Sequence, residues 1–171
     1  MEFYEVLENR HSVRTYQEKE IEAEKLRRII DACKKAPSAG NLQAYKIYVV
    51  KSQEAKESLA RAALDQEFIA QAPIVLVFCA DKMQSEAKYG ERGMELYAIQ
   101  DATIAAAYAQ LAVTAEGLSC AWVGAFEPLE VSFILKAEPG QVPVALIPIG
   151  YAAEKPGATS RRPREEMVKE V

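Results

Sequence analysis

The sequence predicts an α+β layered fold, with helices packed on a central sheet in one domain spanning residues 1–171. Three observations carry this. Segments of helical and of strand pattern alternate without a strict βαβ rhythm, which disfavours a doubly wound sheet. Residues 73–80, Pro-Ile-Val-Leu-Val-Phe-Cys-Ala, form a continuous apolar run, the pattern of a central strand covered on both faces. Residues 94–116 read as a long helix whose only formal charge between Leu96 and Ala115 is Asp101. A helix that is apolar on nearly every side must be covered on nearly every side.

The elements follow in order. Residues 3–8 form a first helix. Residues 22–36 form an amphipathic one, with Leu26, Ile29, Ile30 and Cys33 at i, i+3, i+4 and i+7 and Pro37 as its stop. Residues 46–51 are rich in β-branched and aromatic side chains and read as a strand. Ser52 caps a helix to about residue 63, with Glu54 in its first turn. The apolar strand 73–80 is followed by a polar loop, 81–93, and then by the long helix. Eight of the eighteen positions from Ala98 to Ala115 are alanine. Such small side chains admit a second helix closely, so this helix is expected at a homodimer interface; the centre of a monomer is the other reading. Gly117 terminates it. A strand at 119–123, a helix at 127–136 and a strand at 142–149 complete the domain. Pro143 and Pro148 place the last strand at an edge or the prolines at its ends. The polar tail from Tyr151 needs something to dock on, and the partner subunit is the expected support.

Composition excludes several classes. The chain is 50% hydrophobic and 27% charged, so it is not globally disordered. Its net charge of −4 makes broad electrostatic binding to nucleic acid a poor fit. Cys33, Cys79 and Cys120 are odd in number and far apart, arguing against a disulfide framework and a zinc site; no metal is expected. His11 is the only histidine, which disfavours a serine-type triad. The N-terminus lacks signal-peptide character and no uncharged apolar run is long enough to span a bilayer, so a cytoplasmic protein is expected.

Four short constellations remain. In Arg10-His11-Ser12-Val13-Arg14 an extended backbone turns Arg10, Ser12 and Arg14 to one side. Two guanidinium groups around a hydroxyl suit a phosphate or an anionic ring edge; a solvated loop with scattered arginines has the same local pattern. Ala36-Pro37-Ser38-Ala39-Gly40-Asn41-Leu42-Gln43 lies between a helix and a strand, with Gly40 allowing close backbone approach and Ser38, Asn41 and Gln43 able to hydrogen-bond. Trp122-Val123-Gly124-Ala125-Phe126 ends a strand on small residues, where a backbone N–H can meet a flat ligand. Ser160-Arg161-Arg162-Pro163-Arg164 holds three arginines in four positions, suited to phosphate or to solubility.

In combination and order, together with Gln100-Asp101-Ala102 and Ile149-Gly150-Tyr151, these pieces resemble the nitroreductase family of FMN-dependent oxidoreductases nearly end to end. The resemblance implies a mostly antiparallel central sheet flanked by helices. It also implies a homodimer with FMN bound at the subunit interface and the long helix in that interface. Carried over by position, Arg10 and Ser12 hold the phosphate and ribityl end, with Arg161 or Arg162 closing on the phosphate. Arg14 lies by the pyrimidine edge of the flavin. Pro37, Ser38, Ala39, Asn41 and Gln43 belong to the cofactor site, reaching it from the partner. The backbone N–H near Gly124, with Val123 and Ala125 beside it, faces the reactive nitrogen. His11 falls in the cofactor-binding stretch with its side chain expected to point away from Arg10 and Arg14.

The implied function is hydride transfer from NAD(P)H through FMN to quinone, nitroaromatic or similar acceptors, in a ping-pong sequence. The chain has no GxGxxG fingerprint, in agreement with a nicotinamide that stacks on the flavin rather than occupying its own domain. No side chain need be catalytic, because the cofactor carries the electrons. Alternatives on the same pattern are a flavin-binding or redox-sensing module without turnover, dehalogenation, flavin fragmentation or ring dehydrogenation. The family's larger members carry an extra helical segment before the long helix. Here residues 81–93 stand in its place, with Gly90 and Gly93 marking a tight turn or flap and Tyr89 and Arg92 as candidate substrate contacts.

Overall fold

The computed structural model of the chain describes residues 1–157 and 159–171. Its elements are helix α1 (Phe3–Asn9), α2 (Ala23–Cys33), strand β1 (Tyr45–Val50), α3 (Gln53–Ala62), α4 (Phe68–Gln71), β2 (Ile74–Asp81), α5 (Lys82–Arg92), α6 (Ala98–Ala115), β3 (Ser119–Cys120), α7 (Pro128–Leu135), β4 (Gln141–Gly150) and α8 (Arg164–Met167). The strands form one antiparallel sheet in the order β1-β2-β4-β3.

Side-chain alternation along β2 divides the core into two layers, because successive residues face opposite sides. Ile74, Leu76 and Phe78 pack under α2 and α6 with Ile147 and Ile149 of β4. Val75, Val77 and Cys79 pack under α3, α4 and α7 with Leu146. The apolar run is therefore a strand buried on both faces, as its pattern requires. The alanines of α6 at positions 102, 105, 106 and 109 are fully buried, and their small size lets α6 lie against both the sheet and α2. Ser52 caps α3 by accepting from the Ala55 N–H at 3.3 Å. Gly117, at φ +72°, ends α6, and the Leu118 N–H returns to the Val113 carbonyl.

Four expectations need correction. Residues 81–93 are not a loop: Asp81 accepts from the Gln84 N–H at 3.0 Å and starts α5, which is broken at Gly90. A π-type turn, Gly93–Tyr97, then joins α5 to α6. The strand expected over 119–123 is short, because only Ser119 and Cys120 pair continuously and Val123 forms an isolated bridge to Leu146. Third, β4 is interior. Pro143 sits at a β-bulge opposite Phe78 and Cys79, and Pro148 falls between the Cys120–Ile149 and Val123–Leu146 pairings, where the β3 ladder is interrupted. Both prolines thus avoid positions that must donate to a neighbour.

Finally, the start of the tail docks on its own chain. Ala153 N–H donates to the Thr15 carbonyl and Gln17 N–H to the Tyr151 carbonyl, both at 2.9 Å. No helix among the described residues is long and apolar enough to cross a membrane.

Candidate functional site

After α1 the chain runs extended beside β3. Ser12 bridges Cys120 in parallel, and the Val13 N–H donates to the Cys120 carbonyl at 3.0 Å. Val13 is buried against Tyr16 and Ala72, which turns its neighbours Ser12 and Arg14 outward. The buried Tyr16 hydroxyl lies 2.7 Å from the Val13 carbonyl and 3.2 Å from that of Pro148. Burial pushes this phenol well above its usual pKa, so it acts as a donor that fixes the segment rather than as an acid.

The tail pairs antiparallel to residues 15–17 and carries a second set of groups back to the same place. The Arg14 N–H donates to Glu154 Oε1 at 2.6 Å. Arg10, His11, Ser12, Arg14, Pro156, Gly157, Thr159 and Arg161 line one cleft of about 450 Å³. Among the described residues no carboxylate lies within 4.0 Å of the guanidinium groups of Arg10, Arg14 or Arg161. That of Arg14 rests 5.8 Å from the Phe68 ring centroid. Guanidinium groups without a carboxylate partner, in one lining with a hydroxyl, are suited to an anion. His11 is also among the residues that line the cleft. Arg162 does not line it, which separates it from Arg161.

The third constellation directly follows β3 in the chain. Trp122 to Phe126 continue from β3, whose Cys120 pairs with Ser12. Gly124 and Ala125 are exposed, Val123 is buried, and Gln66 holds the Ala125 carbonyl through its side-chain amide at 3.1 Å. Among the described residues nothing accepts from the Gly124 N–H.

Pro37, Ser38, Ala39, Asn41 and Gln43 are elsewhere; none lines the arginine cleft. Their loop is strained. Gly40, Asn41 and Gln43 have φ of 56°, 55° and 51°, a region that costs an L-residue about 1–2 kcal/mol. Such a conformation persists only when its surroundings over-determine it. Here Ser38 Oγ accepts from the Gln43 N–H at 3.0 Å, and the Gln43 amide donates to the Lys34 carbonyl. Buried Asp101 does more, accepting from the Ala39 N–H at 2.9 Å through one oxygen and from the Ala44 N–H at 3.4 Å through the other. Lys88 Nζ and the Tyr89 hydroxyl stand where a β-carbon on Gly40 would go, so a side chain there would have to push these two flexible side-chain ends aside.

Asp101, Lys88 and Tyr97 were not among the candidates read from the sequence as site residues. One signal for Asp101 was available, its isolation as the sole charge of an apolar helix. Tyr89 and Arg92 were candidates, and α5 brings them together with Tyr97. The rings of Tyr89 and Tyr97 meet edge to face at 5.3 Å, and Arg92 Nε donates to the Tyr97 hydroxyl at 3.0 Å.

The model of the Nitroreductase family matches residues 7–68 and 62–151. The chain is 30% identical over 186 residues to an NADH dehydrogenase of Thermus thermophilus, covering 93% of this chain and 91% of that one. It is 29% identical over 174 residues to an FMN reductase [NAD(P)H] of Bacillus subtilis, covering 94% and 70%. It superposes on the structure of NfrA2 from B. megaterium with a TM-score of 0.90 at 27% identity, covering 99% of this chain and 74% of the other. With its family model matched over most of its length and the same fold in its relatives, the chain belongs to the nitroreductase family.

Proposed function

We propose that the protein is an FMN-dependent NAD(P)H oxidoreductase that reduces quinone, nitroaromatic or similar acceptors, and that it works as a homodimer in the cytoplasm. The observation that supports this most is the cleft lined by Arg10, Ser12, Arg14 and Arg161, whose guanidinium groups have no carboxylate partner among the described residues. Its donors are of the kind a phosphate monoester and a polyhydroxylated chain require, so the residues fit FMN. The bound cofactor supplies a reversible hydride acceptor.

In this reading Arg10, Ser12 and Arg161 hold the phosphate and ribityl end. Arg14 sets a fixed positive charge by the pyrimidine edge, which favours the more negative, reduced ring. The free Gly124 N–H offers a donor toward the reactive nitrogen. The loop from Pro37 to Gln43 completes a site in the neighbouring subunit, which accounts for its absence from the cleft of its own chain. NAD(P)H binds, donates and leaves before the oxidant enters the same face. The three cysteines are free and buried, which suits a reducing compartment, and burial raises each thiol to about 12, so none is a ready nucleophile.

The dimer reading rests on the side of α6 that the sheet does not cover. Tyr108 is 37% exposed there, and Phe3, Tyr4 and Leu7 on α1 are also exposed. Sedimentation velocity at micromolar concentration is expected to give twice the 18.9 kDa chain mass. Tyr108→Glu is expected to shift it toward monomer with loss of FMN, and a monomeric wild type that retains FMN would refute the shared site.

The function itself is tested by the absorbance spectrum of the purified protein under anaerobic conditions. Bands near about 370 and 450 nm that NADH or NADPH bleaches are the expected result. Bands that neither nucleotide bleaches would favour a binding or sensing module. A colourless protein that does not take up added FMN would overturn the reading.

A further inference from the structure

The arginine cleft and the Pro37–Gln43 loop leave a group of side chains on α5 and the turn after it without a role. Lys88 and Arg92 are exposed, and no carboxylate lies within 4.0 Å of either among the described residues, although Glu86, Glu91 and Glu95 share their segment. The contrast is local: Lys82, six residues before Lys88, pairs with Glu95 at 3.2 Å.

The two free cations flank an aromatic pair. Lys88 Nζ lies 5.4 Å from the Tyr89 ring centroid, and the Arg92 guanidinium 5.5 Å from that of Tyr97, while the rings meet edge to face. Cations beside aromatic rings are held by the ring quadrupole and keep their charge available. The arrangement is built by an unusual backbone. Gly90, at φ 59° and ψ −149°, occupies a region essentially closed to other residues and breaks α5 between Tyr89 and Arg92. Gly93 packs so tightly that a β-carbon would stand 2.8 Å from both the Ser85 carbonyl carbon and Tyr89 Cβ. The π-type turn at Gly93–Tyr97 follows, an irregularity found often at functional sites. One turn before Tyr89, the buried Ser85 hydroxyl has no hydrogen-bond partner among the described residues. The side chains of Lys88, Tyr89, Arg92 and Tyr97 belong to neither core layer.

The position gives the group its meaning. Lys88 Nζ and the Tyr89 hydroxyl stand directly over Gly40, in the middle of the strained loop that Asp101 holds. We propose that Lys88, Tyr89, Arg92 and Tyr97 form a subsite for a planar substrate that carries an anionic group. The tyrosine pair offers the apolar wall and the two cations bind a carboxylate, sulfonate or phosphate. This rests on the reading of the Pro37–Gln43 loop as part of the flavin site, since only there does a planar substrate need to lie flat beside it. Two sources supply such an anion: an aromatic acceptor with an acidic substituent, or the extra phosphate that distinguishes NADPH from NADH.

Calorimetry and kinetics separate these sources. On the FMN-loaded dimer, 4-nitrobenzoate is compared with 4-nitrobenzamide, and NADPH with NADH, in wild type, Lys88→Gln, Arg92→Gln and the double variant. Neutralising either cation removes one charge-assisted hydrogen bond and is expected to lower the anion preference about tenfold or more. A fall in the carboxylate-to-amide ratio of association constants (1/Kd) and of kcat/KM assigns the subsite to the acceptor. A fall in the NADPH-to-NADH ratio assigns it to the nucleotide. Arg92→Lys keeps the charge and is expected to recover part of the preference. If wild type shows neither preference, or both ratios survive the double substitution, the subsite proposal is overturned while flavin binding and bleaching stand. If wild type takes up no FMN, the functional reading fails first, and the calorimetric comparison on the cofactor-free protein still decides whether the anion subsite exists.

Discussion

Replacing Arg10 by alanine is expected to weaken FMN binding about 10- to 150-fold. Arg10 lines the cleft with Arg14 and Arg161 and carries no carboxylate partner among the described residues, so its charge is uncommitted within the chain. Losing one charge-assisted hydrogen bond to a phosphate removes about 1.5–3 kcal/mol, which corresponds to that range of affinity. The measurement is a fluorescence titration of the cofactor-free variant with FMN. Arg10→Lys is expected to fall between, because an ammonium keeps the charge but not the planar fork that engages two phosphate oxygens. Added salt should narrow the difference between wild type and variant, since screening acts on the same attraction. Wild-type affinity in Arg10→Ala would place the phosphate elsewhere.

Asp101→Ala is expected to be the most destabilising single change in the site. The Asp101 side chain is buried in α6 and accepts from two backbone N–H groups, those of Ala39 and Ala44. Removing it leaves the buried Ala44 N–H and the partly buried Ala39 N–H without this partner, at about 1–3 kcal/mol for each donor that water does not reach. The loop between them also loses the restraint that maintains left-handed Gly40, Asn41 and Gln43. A loss of roughly 2–5 kcal/mol corresponds to a fall in Tm of roughly 5–20 °C for a chain of this size. Asp101→Asn retains one acceptor but turns amide hydrogens toward the second N–H, so it is expected to be intermediate. Calorimetry of the cofactor-free proteins gives the change in stability. FMN titration of whichever variants stay folded then gives the cost to the assembled site. A Tm for Asp101→Ala within about 1 °C of wild type would show that the loop holds itself.

Much of this arrangement is legible in local chemistry. The run from Pro73 to Ala80 can only be a strand with two covered faces, because it offers no polar side to water. Ser52 and Gly117 mark a helix start and a helix end through bonds they make within a few residues. Arg10, Ser12 and Arg14 share a side because an extended backbone has period two. α5 escaped this reading: its sequence has no apolar stripe and contains Gly90 within it and Gly93 just after, and only Ser85 among its residues is buried. Its order comes from the Asp81 cap and from packing against the turn that follows. The interior position of β4 escaped it as well. Whether a proline falls at a bulge or in a ladder depends on the register of two neighbouring strands.

Most helices and strands, the residues that must be buried, and the order of arginine-bearing and glycine-bearing motifs that marks one enzyme family can all be read along the chain. Those properties follow from side-chain polarity, periodicity and short-range caps. Which motifs meet is settled by the packed fold. Parallel pairing of Ser12 with Cys120 and the return of the tail along Thr15 and Gln17 bring Arg161 to Arg10 and Arg14. The Pro37–Gln43 loop is held apart, pinned by a carboxylate about sixty residues away in the chain. Lys88 and Tyr89 reach Gly40 from a helix that Gly90 then breaks. Contacts between residues so distant in sequence depend on sheet register and helix packing, which no local pattern encodes.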